Sequence, residues 1–274
     1  LDDRALFQRH TEIATHFPSP SIPTIPTIDT KKGNKKLRIG IVSPDFRKHS
    51  VAYFLKPLFK HMDRSRFEIY CYYNHRQVDQ ITETLKSQAD YWLDTVDIDD
   101  QSLTEKIRSD QVDILLDVAG HNMGNRLGVF AMRAAPVQIT WLGYAHTTGL
   151  STMDYRIVDN ITDPAPEADA FCQEKLLRLE NGFLCYQGDD SVSYKQESPH
   201  TSARHITFGS FNNLLKVNHT VIEAWADILR NVPKSRLIIK AKHFGEEDVR
   251  NRYISYFTEL GIDSDRLTIV GRIA

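Results

Sequence analysis

Two successive sets of short apolar runs, each run followed by a stretch of helical spacing, constrain this chain more than any other feature. A brief apolar run closed by turn residues reads as a strand buried on both faces, and strands alternating with amphipathic helices build parallel sheets. The first set opens with Leu37-Arg38-Ile39-Gly40-Ile41-Val42-Ser43. A helix over Val51 to Met62 follows, with Phe54, Leu55, Leu58 and Phe59 at helical spacing and Pro57 expected to bend or interrupt it. Phe67 to Tyr73 is the next strand, then come helices near Ile81 to Ala89 and Leu103 to Arg108, and a strand from Val112 to Val118. The second set starts at His205. It reads strand (Ile206 to Phe211), helix (His219 to Asn231), strand (Arg236 to Ala241), helix (Glu246 to Leu260) and strand (Arg266 to Val270). On that helix Val221, Ile222, Trp225, Ile228 and Leu229 are expected on one face. The pattern predicts two doubly wound α/β lobes, the second incomplete, with strands that include Arg38–Val42, Ile114–Asp117, Ile206–Phe208 and Leu237–Lys240.

The organisation expected from these signals has three parts. Residues 1–34 form an N-terminal helix and a Pro-rich linker through Pro18, Pro20, Pro23 and Pro26; residues 35–196 form the first lobe; residues 203–274 begin the second. Composition narrows the function. A net charge of −2 over 274 residues argues against a nucleic-acid-binding surface, and the short basic clusters around Lys31 and Lys35 read as solvated linker. Three cysteines without paired spacing fit neither a disulfide framework nor a zinc site. No stretch is long and apolar enough to span a bilayer, so the expectation is a cytoplasmic protein with no membrane partner.

Ligands of open α/β sheets bind outside the carboxyl ends of the strands, so chemistry is sought in the loops that follow them. The first such loop, Ser43 to Ser50, contains His49 just ahead of a helix N-terminus. The second runs Asp117-Val118-Ala119-Gly120-His121-Asn122, where Asp117 reads equally well as a base, an orienting partner for His121, or a turn cap. The third, Thr140-Trp141-Leu142-Gly143-Tyr144-Ala145-His146-Thr147-Thr148-Gly149, mixes stacking surface with hydrogen-bonding groups, as a sugar pocket would. The fourth, Gly209-Ser210-Phe211-Asn212-Asn213-Leu214-Leu215-Lys216, ends in a lysine that could meet a phosphate beside a helix N-terminus. Neither a Walker loop nor a dinucleotide fingerprint is present.

These loops carry a resemblance. Ile41-Val42-Ser43-Pro44-Asp45-Phe46 with His49-Ser50, Gly120-His121, and the run from Phe130 through Ala135-Pro136-Val137-Gln138 to Tyr144 are similar to family 41 glycosyltransferases, which include protein O-GlcNAc transferases and SPINDLY proteins. So are Thr147-Thr148-Gly149, Met153 to Asp159 and Gly209 to Lys216. The resemblance runs from about Leu37 to the last residue, and its wording around Thr147 to Asp159 is nearer SPINDLY. Where members often read Tyr-Pro-Gly or Tyr-Pro-Asn, this chain has Tyr144-Ala145-His146.

The resemblance implies two Rossmann-like lobes of the GT-B type, with residues 1–34 as the end of a tetratricopeptide region. It places His49 near the transferred sugar, and the Leu142-Gly143 loop and His121 against the donor. Lys216 then neutralises the leaving diphosphate, with Asn213 beside the nucleotide. His49, His121 and the Leu142–Thr148 loop are expected to converge on one side of the first sheet, facing Lys216 across the gap.

The activity implied is transfer of GlcNAc from UDP-GlcNAc to Ser or Thr hydroxyls of a protein acceptor, with no metal and no cofactor beyond the nucleotide sugar. Alternatives are transfer of fucose from GDP-fucose, a bacterial enzyme of this family acting on Asn or small molecules, and a non-catalytic protein-binding module. Because the second lobe is read as incomplete and the family's His-Thr-Thr motif is absent, the residues present are expected to be inactive on their own.

Overall fold

The structure, a computed structural model, describes residues 2–18, 35–188 and 197–272. Its chain falls into two compact units, Leu1–Asp189 and Asp190–Ala274. Most of the Pro-rich run lies outside the described residues.

The first unit is built on seven strands: β1 (Leu37–Ser43), β2 (Phe67–Tyr73), β3 (Tyr91–Asp94), β4 (Ile114–Asp117), β5 (Val137–Thr140), β6 (Tyr155–Asp159) and β7 (Lys175–Leu179). They lie in the order β3-β2-β1-β4-β5-β6-β7, and every pairing is parallel. Helices α1 (Asp3–Ala14), α2 (Ser50–His61), α3 (Gln80–Gln88), α4 (Asp100–Ser109) and α5 (Leu127–Ala131) complete it. Side chains alternate across the pleat, which splits the core in two. Ile39, Ile41, Ile69, Cys71 and Leu116 pack with Val51, Leu55 and Phe59 of α2 and Leu85 of α3. Val42, Tyr72 and Leu115 pack on the other face with Leu103 and Ile107 of α4 and Phe130 of α5. Crossovers therefore leave β1 and β4 toward opposite faces, and the strand order reverses between them.

Local sequence explains the helix starts. Asp79 opens α3 with a capping box, accepting from the Ile81 and Thr82 amides while Thr82 accepts from the Asp79 amide. Asp99 opens α4 by accepting from the Ser102 amide. Pro57 does not interrupt α2, which runs on to His61. The carbonyl it leaves without a helical donor belongs to Tyr53, a residue 38 % exposed and open to water.

The second unit contains helix α6 (Pro199–Ala203), β8 (Thr207–Ser210), α7 (His219–Asn231), β9 (Arg236–Lys240), α8 (Glu247–Glu259) and β10 (Leu267–Val270). Its strands are parallel in the order β10-β9-β8, the opening half of a doubly wound sheet. Ile222, Ala226 and Leu229 of α7 pack on Leu237, Ile239, Phe244 and Phe257. Ile228, expected on that face, is 41 % exposed, because the buried stripe runs through positions 222, 226 and 229. Ile206 likewise lies outside the strand it was expected to begin, at 46 % exposure.

Candidate active-site edges

In the first unit the strand order reverses between β1 and β4, and ligands of such sheets bind outside the carboxyl ends of the strands at that point. The register sets Val42 beside Asp117 and Asp117 beside Thr140, so the loops starting at Ser43, Val118 and Trp141 emerge side by side. In the first loop Ser43 Oγ accepts from the Asp45 amide at 2.9 Å. The buried Asp45 carboxylate sits 3.5 Å from Arg47 and 3.5 Å from His49 Nδ1. Burial pushes Asp45 above the usual carboxylate range, opposed by His49, Arg47 and His75. His49 is the N-cap of α2, its Nδ1 accepting from the Val51 amide at 3.4 Å. Both partners use Nδ1, which leaves Nε2 as the nitrogen able to meet a ligand.

Asp117 is a turn clamp. Its buried carboxylate accepts from the Ala119 and Gly120 amides and, at 2.7 Å, from the Thr140 hydroxyl, which ties the second loop to the third. The third loop then makes a tight turn in which the Gly143 amide donates to the Trp141 carbonyl at 2.8 Å, with Leu142 at φ +66°. This is a strained conformation for a branched residue, of the kind that persists only where its surroundings enforce it. Gly143 permits the close approach: a Cβ there would lie 2.2 Å from the Val118 carbonyl oxygen. Asn122 also donates to the Gly143 carbonyl, at 2.5 Å. On its other side the loop walls a cavity of about 380 Å3 with Arg156, Asp163, Phe171 and Phe183.

His121 turns into the protein. Its Nε2 bonds the Thr148 carbonyl at 2.9 Å, and its ring lies 4.5 Å from that of His10 on α1. His146 stacks on His10 from another side at 5.2 Å. Thr147 and Thr148 both donate to the buried Glu174. The structure thus brings His121 together with the Leu142–Thr148 loop. His49 stands one strand over, its Nδ1 accepting from the Val51 amide and lying 3.5 Å from Asp45.

Burial lowers the proton affinity of His10, His121 and His146, assisted by His121 acting on His10 and by His10 acting on His146; it is opposed by the Leu6 carbonyl and then Glu174 at His10, by the Thr148 carbonyl and then Glu174 at His121, and by Asp3 and Asp163 at His146. A folded value below the unfolded one means that the unfolded chain binds more protons. Stability from these groups is complete above the ordinary histidine value of about 6.5 and is lost as pH falls toward the depressed values. Urea midpoints should therefore fall between neutral and mildly acidic pH, and His10→Phe should flatten that slope. An unchanged slope in the variant would show that the cluster does not titrate with unfolding.

In the second unit, the loop after β8 places Asn213 as the cap of a single 3-10 turn, Leu214–Lys216, with its side chain accepting from the Leu215 amide at 3.1 Å. Lys216 ends that turn exposed, and among the described residues no carboxylate pairs with it. Asn218 then caps α7. The loops after β8, β9 and β10 line a cavity of about 370 Å3 with Phe211, Asn212, Asn213, Lys240, Lys242 and Arg272. Lys240 lies 5.6 Å above the Phe211 ring. Three cations, two amides and an aromatic face suit an anionic ligand bearing a planar group.

Lys240, Lys242 and Arg272 escaped the sequence reading although they too follow strand ends; extending the strand-end rule to β9 and β10 would have found them. Asp45, an acidic residue in a turn, carries no distinguishing signal in the sequence. His10, one histidine in a charged helix, gave no signal.

The glycosyl transferase family 41 model matches residues 23–200. The "Probable UDP-N-acetylglucosamine--peptide N-acetylglucosaminyltransferase SPINDLY" of Solanum lycopersicum is 38 % identical over 273 residues, covering 98 % of this chain and 29 % of that protein. Its counterpart in Arabidopsis thaliana is 36 % identical over 274 residues, covering 98 % of this chain and 30 % of its own length. A mutant O-GlcNAc transferase of Thermobaculum terrenum superposes with a TM-score of 0.91 at 33 % identity, over 100 % of this chain and 52 % of that one. The chain thus spans less than a third of those two plant relatives and about half of the solved structure. With the fold, the strand-end loops and the family match in agreement, the chain belongs to glycosyl transferase family 41.

Proposed function

We propose that the protein transfers GlcNAc from UDP-GlcNAc to serine or threonine hydroxyls of protein acceptors. The observation that carries this reading is the presence, in one family 41 chain, of two kinds of strand-end edge, one in each unit. One edge is rich in imidazole and hydroxyl groups around a strained Leu142-Gly143 turn; the other gathers cations beside Phe211. The first suits a sugar and an attacking hydroxyl, the second a nucleoside diphosphate. A diphosphate leaving group gains negative charge as the glycosidic bond breaks, so preorganised cations contribute most in the transition state. Lys216 is assigned to that charge, Lys240, Lys242 and Arg272 to the ground-state nucleotide, and His49 Nε2 to the sugar or the hydroxyl proton. The relatives' names specify a UDP-GlcNAc donor and a peptide acceptor, which favours that donor over GDP-fucose.

The proposal includes no resident metal. It also places the protein in the cytoplasm, supported by free cysteines at Cys71, Cys172 and Cys185; no described helix is long and apolar enough to cross a membrane. The test gives the full-length protein a donor panel of UDP-GlcNAc, UDP-glucose and GDP-fucose with a protein acceptor mixture, read by mass spectrometry of the acceptors, with and without chelator. HexNAc addition to Ser or Thr only with UDP-GlcNAc, insensitive to chelator, is the expected result. Deoxyhexose addition from GDP-fucose would replace the donor assignment, and a rate abolished by chelator would overturn the metal-free reading.

A further inference from the structure

Helix α1 buries its face in an unusual way. A helix on a protein surface normally docks through leucines and phenylalanines, yet here Leu6 and Phe7 are only half-buried and the one buried side chain is His10, 5 % exposed. Its ring enters between the loops that follow β4 and β5. Nε2 shares a hydrogen bond of 3.0 Å with the Tyr144 hydroxyl, and the ring packs against His121, His146 and the edge of Tyr144. Nδ1 is buried against its own helix, where the Leu6 carbonyl favours a proton on the ring. The helix backbone is admitted just as closely: a Cβ on Gly149, which sits at φ +75°, would lie 2.5 Å from the His10 carbonyl oxygen.

What His10 touches gives it a use. Tyr144 follows Gly143 directly, one residue beyond the strained Leu142 turn. His121 bonds Thr148 at the far end of the same loop, and Thr148 in turn is held by Glu174. His10 therefore contacts the loop near its start through Tyr144, in its middle through His146, and near its end indirectly through His121. A loop whose backbone is strained keeps its shape only while its neighbours hold it, and the imidazole on α1 contacts both strand-end loops at once.

We propose that His10 is a positioning residue for sugar transfer: from helix α1 it fixes the Leu142–Thr148 loop in the conformation that meets the donor, through the Tyr144 hydroxyl. This rests on the transferase reading above for its effect on rate, but not for its effect on the loop. His10 touches neither donor nor acceptor in this role.

The test uses His10→Phe, Tyr144→Phe, the double variant and His10→Gln in the purified protein. Transfer from UDP-GlcNAc is measured alongside hydrogen exchange of the amides of residues 141–149. Either phenylalanine variant should lower kcat/KM about tenfold to a hundredfold, as displacement of a reacting group by about an ångström does. The double variant should be no worse than the single ones, because both remove the same hydrogen bond. His10→Gln, whose amide can reach the tyrosine hydroxyl, should recover part of the loss. Exchange in the loop should quicken in both phenylalanine variants while strands β1 and β4 stay protected. Losses that multiply in the double variant, or loop exchange unchanged by His10→Phe, would overturn the inference. Should even the unaltered full-length protein transfer nothing from UDP-GlcNAc, the transferase reading fails, and loop exchange alone then decides whether His10 holds the loop.

Discussion

Replacing Lys216 with alanine is expected to lower kcat by about 10²- to 10³-fold, with a much smaller change in the KM for donor, the size of effect seen when a preorganised electrostatic group is removed. The reasoning starts from where the lysine stands. It closes a 3-10 turn that the Asn213 side chain caps by accepting from the Leu215 amide, and its own amide donates to the Asn213 carbonyl at 3.0 Å. The next residue, Val217, is in the core of the second unit. The stem is thus anchored while the ammonium is exposed and, among the described residues, meets no carboxylate. Charge on a departing diphosphate is larger in the transition state than in bound donor, so the loss should fall on kcat. Lys242→Ala is the contrast, since it removes a cation from the cavity assigned to bound nucleotide and should chiefly raise KM. Exposure of Lys216 also means its removal should leave stability within about 0.5 kcal/mol. Equal losses in kcat and in thermal midpoint, or a KM effect alone, would remove Lys216 from the leaving-group role.

The sequence and the structure agree where one physical signal is undivided. β1 and β2 are buried on both faces, and their apolar runs stand out without help. β3, β6 and β7 passed unread for different reasons. Tyr91–Asp94 has only four residues between a helix and a turn; Tyr155–Asp159 and Lys175–Leu179 put Arg156, Lys175 and Arg178 within their runs. Arg156 is invisible as a strand residue until its ion pair with Asp163, at 2.8 Å, is seen. The same holds for the site. Loops after strands can be found from order along the chain, which exposes His49, His121, Leu142, Gly143, Asn213 and Lys216. Contacts between distant segments cannot be found that way: His10 and Tyr144 are 134 positions apart, and nothing in either neighbourhood points to the other. The N-terminal residues illustrate the difference. Read as a helix and tether separate from the first lobe, they prove to include a helix that docks on its strand-end loops, with Ala14 and Phe17 packed against its core. Asp117 is the converse case, where residue type left base and turn cap equally open and four hydrogen bonds to Ala119, Gly120 and Thr140 settle it as a cap.

The second large effect is expected at His49, and the choice of substitution decides whether it can be read. His49 has two tasks in one ring: Nδ1 accepts from the Val51 amide at the start of α2, and Nε2 is left for the reaction. Alanine would remove both, and loss of an N-cap alone costs about 0.5–2 kcal/mol. Asparagine is a good N-cap without an imidazole, so His49→Asn keeps the helix start and isolates the chemistry. Its kcat should fall about 10²- to 10⁴-fold, the range of a general acid–base group, with the thermal midpoint little changed. Asp45 sharpens the test, because its carboxylate lies 3.5 Å from the same Nδ1. When Nδ1 carries a proton toward Asp45, Nε2 presents a lone pair and can take the acceptor's proton. When Nδ1 instead accepts from Val51, Nε2 carries the proton and can only donate. Asp45→Asn keeps the shape of the loop but removes the charge that favours the first state. If His49 works as a base, Asp45→Asn should slow transfer, and should slow it no further once His49 is already asparagine. A slow Asp45→Asn enzyme whose deficit multiplies with that of His49→Asn would mean that the carboxylate acts elsewhere, through Arg47 or His75, and that Nε2 serves the sugar as a donor.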